Sequence, residues 1–306
     1  MSTISKQAIQ LRAEVPFDLG GQRLDQVAAQ LFSEHSRSRL AAWIKDGLLT
    51  VDGAVLRPRD TVHAGAVLEL SAEQQAQGEW VAQDIPLDIV YEDDQILVID
   101  KPAGMPVHRG PKGGPNLEAS FDALRFGLPR PPVLAHRLDK DTSGCLVLGR
   151  HRKATASLGL LFKHSKISKT YWTVVEGGPA EDEGTIDMPL GRLNAERGWW
   201  QKPDPDGQKA ITNWKVLGRG EGLAWLAMEP VTGRTHQLRV HSSAMGWPIV
   251  GDNIYGNGPR FGEPTLHLHS REIGIPISRN KDPVHVVAPA PAHMHQRLKA
   301  CGWNGE

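Results

Sequence analysis

The sequence predicts an α+β protein made of a small N-terminal unit and a larger domain. Three observations predict it. Within the first 71 residues, apolar side chains at helical spacing give way to short strands around an Asp-Gly turn. Residues 72–83 are rich in Gln, Glu, Ala and Gly and carry no strand pattern. Beyond them, short strands and hairpins mix with helices without the regular alternation of a parallel α/β fold. We divide the chain into a small module over 1–75 (core about 20–71), a linker over 76–85 and a domain over 86–306.

In chain order, a short polar lead precedes a helix near 21–33, with Leu24, Val27, Ala28, Leu31 and Phe32 on one face. Ser36 is a suitable N-cap for a second helix that turns Leu40, Trp43 and Ile44 inward and ends at Gly47. Leu48-Leu49-Thr50-Val51, Asp52-Gly53 and Ala54-Val55-Leu56 spell a hairpin, because Asp-Gly accepts the positive φ angles of a primed turn. Val67, Leu68 and Leu70 supply a further strand. In the larger domain, Ile89-Val90-Tyr91 and Ile96-Leu97-Val98-Ile99 form a second hairpin around 92–94. Strands over 133–139 and 145–149 flank the turn Asp141-Thr142-Ser143-Gly144. A helix covers 154–164, strands cover 171–175 and 224–228, and a short helix opens at Gly233-Arg234-Thr235 and closes at Gly246.

Composition narrows the function. Hydrophobic residues at 40% and charged residues at 23% are ordinary for a globular chain. Cys145 and Cys301, far apart, make neither a metal-ligand spacing nor a disulfide framework, which predicts a reducing cytosol. The N-terminus lacks the apolar run of a signal peptide and no stretch is long enough to span a bilayer, so a cytoplasmic protein with no membrane partner is expected. The 35 basic and 35 acidic residues cancel, which argues against coating nucleic acid by bulk charge. Locally the balance is broken. No acidic residue falls between Cys145 and Val175, while Arg150, Arg152, Lys153, Lys163, Lys166 and Lys169 all do. With no unexplained heptad or apolar stripe, a monomer is expected.

Chemistry concentrates in His136-Arg137-Leu138-Asp139. Strand alternation would put Arg137 and Asp139 on one face and Leu138 on the other. Alone, the tetrapeptide reads equally as a surface ion pair. His267-Leu268-His269 and His293-Met294-His295 lack the companions of a metal site, and Gly110-Pro111-Lys112-Gly113-Gly114 lacks the Lys-Ser/Thr ending of a P-loop. Adjacent Trp199 and Trp200 suit core packing or loop anchoring better than base stacking.

Taken with Thr142-Ser143-Gly144, Lys169-Thr170-Tyr171, Gly233-Arg234-Thr235-His236-Gln237-Leu238-Arg239-Val240-His241 and Gly251-Asp252-Asn253-Ile254-Tyr255-Gly256, this segment resembles the RluA family of RNA pseudouridine synthases. The likeness runs from about residue 86 to the C-terminus. Arg23-Leu24-Asp25 and Ser36-Arg37-Ser38-Arg39 through Val51-Asp52-Gly53 resemble the RNA-binding module named after ribosomal protein S4. The resemblance implies a mixed, mainly antiparallel central sheet with flanking helices and a central cleft. It implies Asp139 as the essential carboxylate, suited to attack or stabilise the sugar carbon as cationic character develops. It implies Arg239 as the partner that keeps Asp139 charged, and Tyr171 as the ring that stacks on a flipped uracil and takes part in proton loss from its fifth carbon. Arg137, which fills the gap left by the flipped nucleotide, joins Leu238, His136 and Thr142 as substrate contacts, with Arg37, Arg39 and Lys45 touching RNA from the small module. No metal or organic cofactor is implied. The basic run from Arg150 to Lys169 would meet phosphates.

The RNA-binding module points to large-subunit ribosomal RNA as substrate. The loop 108–116 departs from members with that target, and Gly207-Gln208-Lys209-Ala210 ahead of Thr212-Asn213-Trp214 is nearer to shorter members, which makes tRNA the second choice. A non-catalytic assembly factor would have no need of Asp139, Tyr171 and Arg239 together. A glycosidase would need a second carboxylate opposed to Asp139, and Asp141 gives no reason to expect that geometry.

Overall fold

A computed structural model describes residues 6–32, 35, 37–75, 87–108, 115–194, 199–278 and 280–305. The chain divides into two compact units, Met1–Val81 and Ala82–Glu306.

In the first unit, β1 (Lys6–Glu14), α1 (Leu24–Leu31), α2 (Arg37–Lys45), β2 (Leu49–Val51) and β3 (Val67–Gln75) make a three-stranded antiparallel sheet, in the order β1-β3-β2, and two helices. Both helices bury the faces their spacing predicts: Leu24, Val27 and Ala28 from α1, and Leu40, Trp43 and Ile44 from α2, in one core with Leu49, Val51, Leu68 and Leu70. Gly47, at φ 71°, ends the second helix as expected. The Ser36 cap and the linker 76–85 lie outside the described residues.

Two expectations are corrected here. The polar lead is a strand: Ile9, Leu11 and Ala13 alternate along β1, which pairs with β3 over its whole length, including residues 72–75 where no strand was expected. The Asp52-Gly53 turn has the positive φ angles expected, 50° and 77°, but its return arm stops after the single bridge Val51–Ala54. Asp52 instead accepts the Val67 N–H at 2.8 Å, which directs β2 to β3.

The second unit is built on a ten-stranded mixed sheet. Its elements are β4 (Asp88–Glu92), β5 (Ile96–Lys101), β6 (Val133–Leu134), β7 (Ser143–Gly149), α3 (Arg152–Lys163), β8 (Ser168–Glu176), β9 (Glu183–Asp187), β10 (Leu190–Arg192), β11 (Gln201–Pro203), β12 (Ile211–Gly220), β13 (Leu223–Pro230), α4 (Gln237–Ala244), β14 (Leu268–Ile275), β15 (Val284–Val287) and α5 (Ala292–Ala300). The order is β4-β5-β7-β14-β8-β13-β12-β9, with β15 on β14 and β6 on β7, while β10 and β11 pair separately. The β7–β14 pairing is parallel and the others antiparallel. This is the mixed, mainly antiparallel sheet that the resemblance implied.

Alternation on the central strands separates two cores. Ile96, Val98, Cys145 and Val147 pack with Leu158 of α3 and Ile273 of β14. Leu97, Ile99, Leu146 and Leu148 face the other way, against Phe121 and Leu138. Each such side chain contributes about 1.5–3 kcal/mol by leaving water.

The expected strand over 133–139 is corrected to two residues. After Ala135, whose N–H reaches the Val147 carbonyl, the Val147 N–H donates to Nε2 of His136 at 2.9 Å. An imidazole has replaced the backbone acceptor, so the ladder ends and residues 137–139 run free of it. Leu138 is buried in that second core, while Arg137 is exposed and Asp139 half-buried. Farther along, Gly144 has φ 104°, and a Cβ there would run into the Ser270 carbonyl where β7 meets β14.

The β4–β5 hairpin sets Asp88 opposite Asp100. Burial, and then the Asp88 charge, push Asp100 from 3.8 up to about 6, with Lys101 opposing. A raised carboxyl means that ionisation weakens the fold, so stability falls as pH rises from about 4 through about 6. Asp100→Asn is expected to raise the unfolding free energy near neutral pH by about 1–2 kcal/mol. The gain should vanish below about pH 4 in urea unfolding curves.

Candidate active site

A cavity of about 520 Å³ opens on the larger unit, walled by the 136–142 segment, the end of α3, β8, and the β13–α4 connection with α4 itself. Asp139, Tyr171, Arg137, Leu238, His136, Thr142 and Arg239 all line it, so the residues the motifs singled out in this unit converge.

Asp139 sits on irregular backbone that is held from several directions. Leu138 anchors it in the core. The Thr142 N–H donates to the Asp139 carbonyl at 3.2 Å, closing the turn. Lys101 is fully buried at the end of β5, and its ammonium donates to the carbonyls of Pro102, Met105 and Lys140 at 2.8–2.9 Å. Burial brings Lys101 down to about 7, against the pull of Asp141, Asp139 and Asp100. The Asp139 carboxylate remains 22% exposed to the cavity.

Tyr171 projects from β8 beside a bulge in the β8–β14 pairing. Burial pushes its phenol up to about 12, a Ser270 hydrogen bond opposing and the Asp139 charge adding to the shift. It is therefore a neutral phenol at physiological pH. Leu238 packs in the same cluster as Tyr171.

Arg239 does not pair with Asp139. Among the described residues its ion pair is with Asp252: Nε to Oδ2 at 2.8 Å and Nη2 to Oδ1 at 2.7 Å, with side chains 3% and 1% exposed. Asp252 comes close enough in plane to accept both guanidinium N–H groups, and it also accepts the N–H groups of Ile254 and Tyr255. Burial opposes both charges, but their hydrogen bonds and mutual attraction prevail, lowering Asp252 and raising Arg239. Asp139 acts on Arg239 only through longer-range charge.

His136 lines the cavity and also ties its wall together. Its Nε2 accepts the Val147 N–H, and its ring stacks on Phe162 at 4.4 Å. Burial, and then Lys169, bring it down to about 3, so it is neutral. Thr142 is buried and Arg137 stands exposed at the rim.

Arg37, Arg39 and Lys45 belong to the other unit. Arg37 and Arg23 both bind Asp25, and despite its burial the two guanidiniums lower that carboxyl. Arg39 lies 5.2 Å over Trp43, and Lys45 is exposed. The basic run divides. Arg150 binds Glu92 and the Asp93 carbonyl, a structural tie rather than a phosphate contact. Arg152, Lys153, Lys163 and Lys166 are exposed, and Lys163 and Lys169 reach the cavity. Trp199 and Trp200 fall between β10 and β11 rather than in a strand, and Trp199 sets its ring edge-on to His236 at 5.7 Å.

The RNA pseudouridylate synthase family model matches residues 95–244, and the S4 domain model matches 22–68. The chain is 52% identical to ribosomal large subunit pseudouridine synthase D of Pseudomonas aeruginosa over 264 residues, 84% of this chain and 80% of that one. It belongs to the RluA family of RNA pseudouridine synthases. It is also 36% identical to an RNA pseudouridine synthase of Synechocystis over 91% of the chain and 88% of the relative. Among solved structures, human RNA pseudouridylate synthase domain containing 4 matches with TM-score 0.58 and 27% identity, over 69% of this chain and 93% of that one. Human RNA pseudouridylate synthase domain containing 1 matches with TM-score 0.58 and 30% identity, over 67% and 84%.

Sequence reasoning gave this synthase no role for Lys101, His236, Asp252 or Tyr255. The last three lie inside quoted motifs. The spacing Asp252-x-x-Tyr255 was a usable signal, since an Asp that accepts N–H groups two and three residues on makes a tight turn. Asp252→Asn leaves the Arg239 charge without its partner and is expected to destabilise the synthase by about 3–5 kcal/mol in thermal or urea unfolding. Because Asp252 is depressed in the fold, its contribution is present above about pH 4 and lost as pH falls through the folded value. The variant should lack that part of the acid transition.

Proposed function

We propose that this synthase converts specific uridines of large-subunit ribosomal RNA to pseudouridine, with Asp139 as the catalytic carboxylate. The observation that carries the reading is Asp139 itself, held on irregular backbone from behind and part-exposed to a cavity of about 520 Å³ that Tyr171 and Leu238 also wall. A uracil inside an RNA helix cannot reach such a cavity unless it is turned out of the stack. The flipped base lies against Tyr171 and Leu238, and the rim guanidinium of Arg137 takes the place it vacates. Asp139 meets the sugar carbon as the bond to N1 breaks and positive character grows there. The uracil turns, bonds to the same carbon through C5, and loses the C5 proton while N1 gains one, so the product is an isomer of the substrate. Arg239 supports the site by its charge and by fixing Asp252. Tyr171, a phenol up to about pH 12, contributes as a neutral ring and hydroxyl.

The substrate class rests on relatives. Ribosomal large subunit pseudouridine synthase D of Pseudomonas aeruginosa, and that of Xanthomonas campestris at 37% identity, carry their target in their names. The S4-type unit, with Arg39 and Lys45 on α2, offers RNA a second hold.

Tritium release from RNA labelled at C5 of uridine tests the reading. Wild type should release tritium from ribosomal RNA well above its action on tRNA, and a preference for tRNA would overturn the substrate class. Asp139→Asn should lose about 10³-fold or more in rate with RNA binding retained. Tyr171→Phe should lose about 10²-fold. Full activity of Asp139→Asn would sink the catalytic assignment.

A further inference from the structure

His236 precedes α4 with φ 54° and ψ 18°, a left-handed conformation that non-glycine residues adopt at a cost. Its ring is 8% exposed and packed edge-on against Trp199 at 5.7 Å and Tyr255 at 5.5 Å. Nδ1 lies 2.8 Å from the Tyr255 hydroxyl, whose oxygen already accepts the Gln201 N–H at 2.9 Å. Burial keeps the imidazole neutral, with one ring hydrogen, and the neighbouring carboxylate favours that hydrogen on Nε2. With the ring hydrogen on Nε2, Nδ1 accepts the hydroxyl hydrogen. Nε2 in turn stands 3.7 Å from Oδ2 of Asp139. The opposite tautomer would set a nitrogen lone pair against the carboxylate.

We propose that His236 is a positioning residue for Asp139, its Nε2–H closing on Oδ2 when RNA fills the cavity and so holding Oδ1 toward the sugar carbon. This rests on the reading of Asp139 as the catalytic carboxylate. The present gap is just beyond hydrogen-bond length, and such bonds tighten in the substrate complex. A neutral donor suits the task. It orients the carboxylate without cancelling the negative charge that the developing cation needs, and the strained backbone aims the ring where an ordinary helix start would not. The Tyr255 hydroxyl, donating to Nδ1, supports that tautomer, and Asp252 with Arg239 holds Tyr255, whose ring lies 5.4 Å from the guanidinium.

Single-turnover tritium release at saturating enzyme, with RNA Kd measured separately, tests the assignment on the full chain. His236→Leu should slow the step by about 10²-fold, with Kd unchanged. His236→Gln keeps an N–H donor near the place of Nε2 and should recover most of that loss. An unchanged single-turnover rate in His236→Leu, a loss confined to Kd, or His236→Gln as slow as His236→Leu would each overturn the proposal. If His236→Leu fails to fold, Tyr255→Phe takes its place, since it removes only the hydroxyl that supports the tautomer. A loss of about 10-fold at unchanged Kd then supports the assignment, and an unchanged rate overturns it. Asp139→Asn run in parallel separates the failures: if it abolishes release while the His236 variants are unaffected, only the present assignment falls. If Asp139→Asn stays active, both fall.

Discussion

Arg239 carries a full charge at a position 3% exposed, and Asp252, 1% exposed, is its partner. A charge so placed is tolerated only with a well-aligned counter-charge, because the loss of water's solvation is of order several kcal/mol for each ion. The pair therefore fixes α4 against the 252–255 turn with little freedom. The turn is tight because Asp252 also accepts the N–H groups of Ile254 and Tyr255. Tyr255 then presents its hydroxyl to His236, and His236 faces Asp139. One ion pair thus sets the geometry of a whole wall of the cleft, without touching the Asp139 carboxylate.

The other wall is set by where a β-ladder stops. β7 is buried on both faces and can pair along either edge. Next to Val147, however, an imidazole nitrogen takes the N–H that a strand carbonyl would have taken. The chain after His136 is released from the sheet and free to curve, and Asp139 is presented on that released stretch. Irregular backbone needs other partners for its polar groups. Lys101 is one, capping the Lys140 carbonyl from within the core. Rigid strands behind and a fixed but non-repetitive loop in front are how a scaffold displays one reactive group.

The sequence by itself determined the reaction family, because that depends on residue types at short spacings: His136 to Gly144, Lys169 to Tyr171, Gly233 to His241. It also determined the local elements with their own periodicity, such as α2 with Leu40, Trp43 and Ile44 buried. The Asp52-Gly53 turn was legible because it rests on backbone angles that few residues accept. Tertiary structure decided everything that required choosing among distant partners. β1 is a strand only because β3 lies beside it, and its alternation of Ile9, Leu11 and Ala13 is too sparse to announce it. The segment 135–139 alternates like a strand yet leaves the sheet, because a side chain competes with backbone for one N–H. Arg239 had two carboxylates, Asp139 and Asp252, within motifs of equal standing, and linear spacing holds no information on which would come into plane with its guanidinium. Folding chose Asp252, since a buried bidentate pair demands an alignment that only the packed chain creates. That choice left Asp139 free to face the cavity.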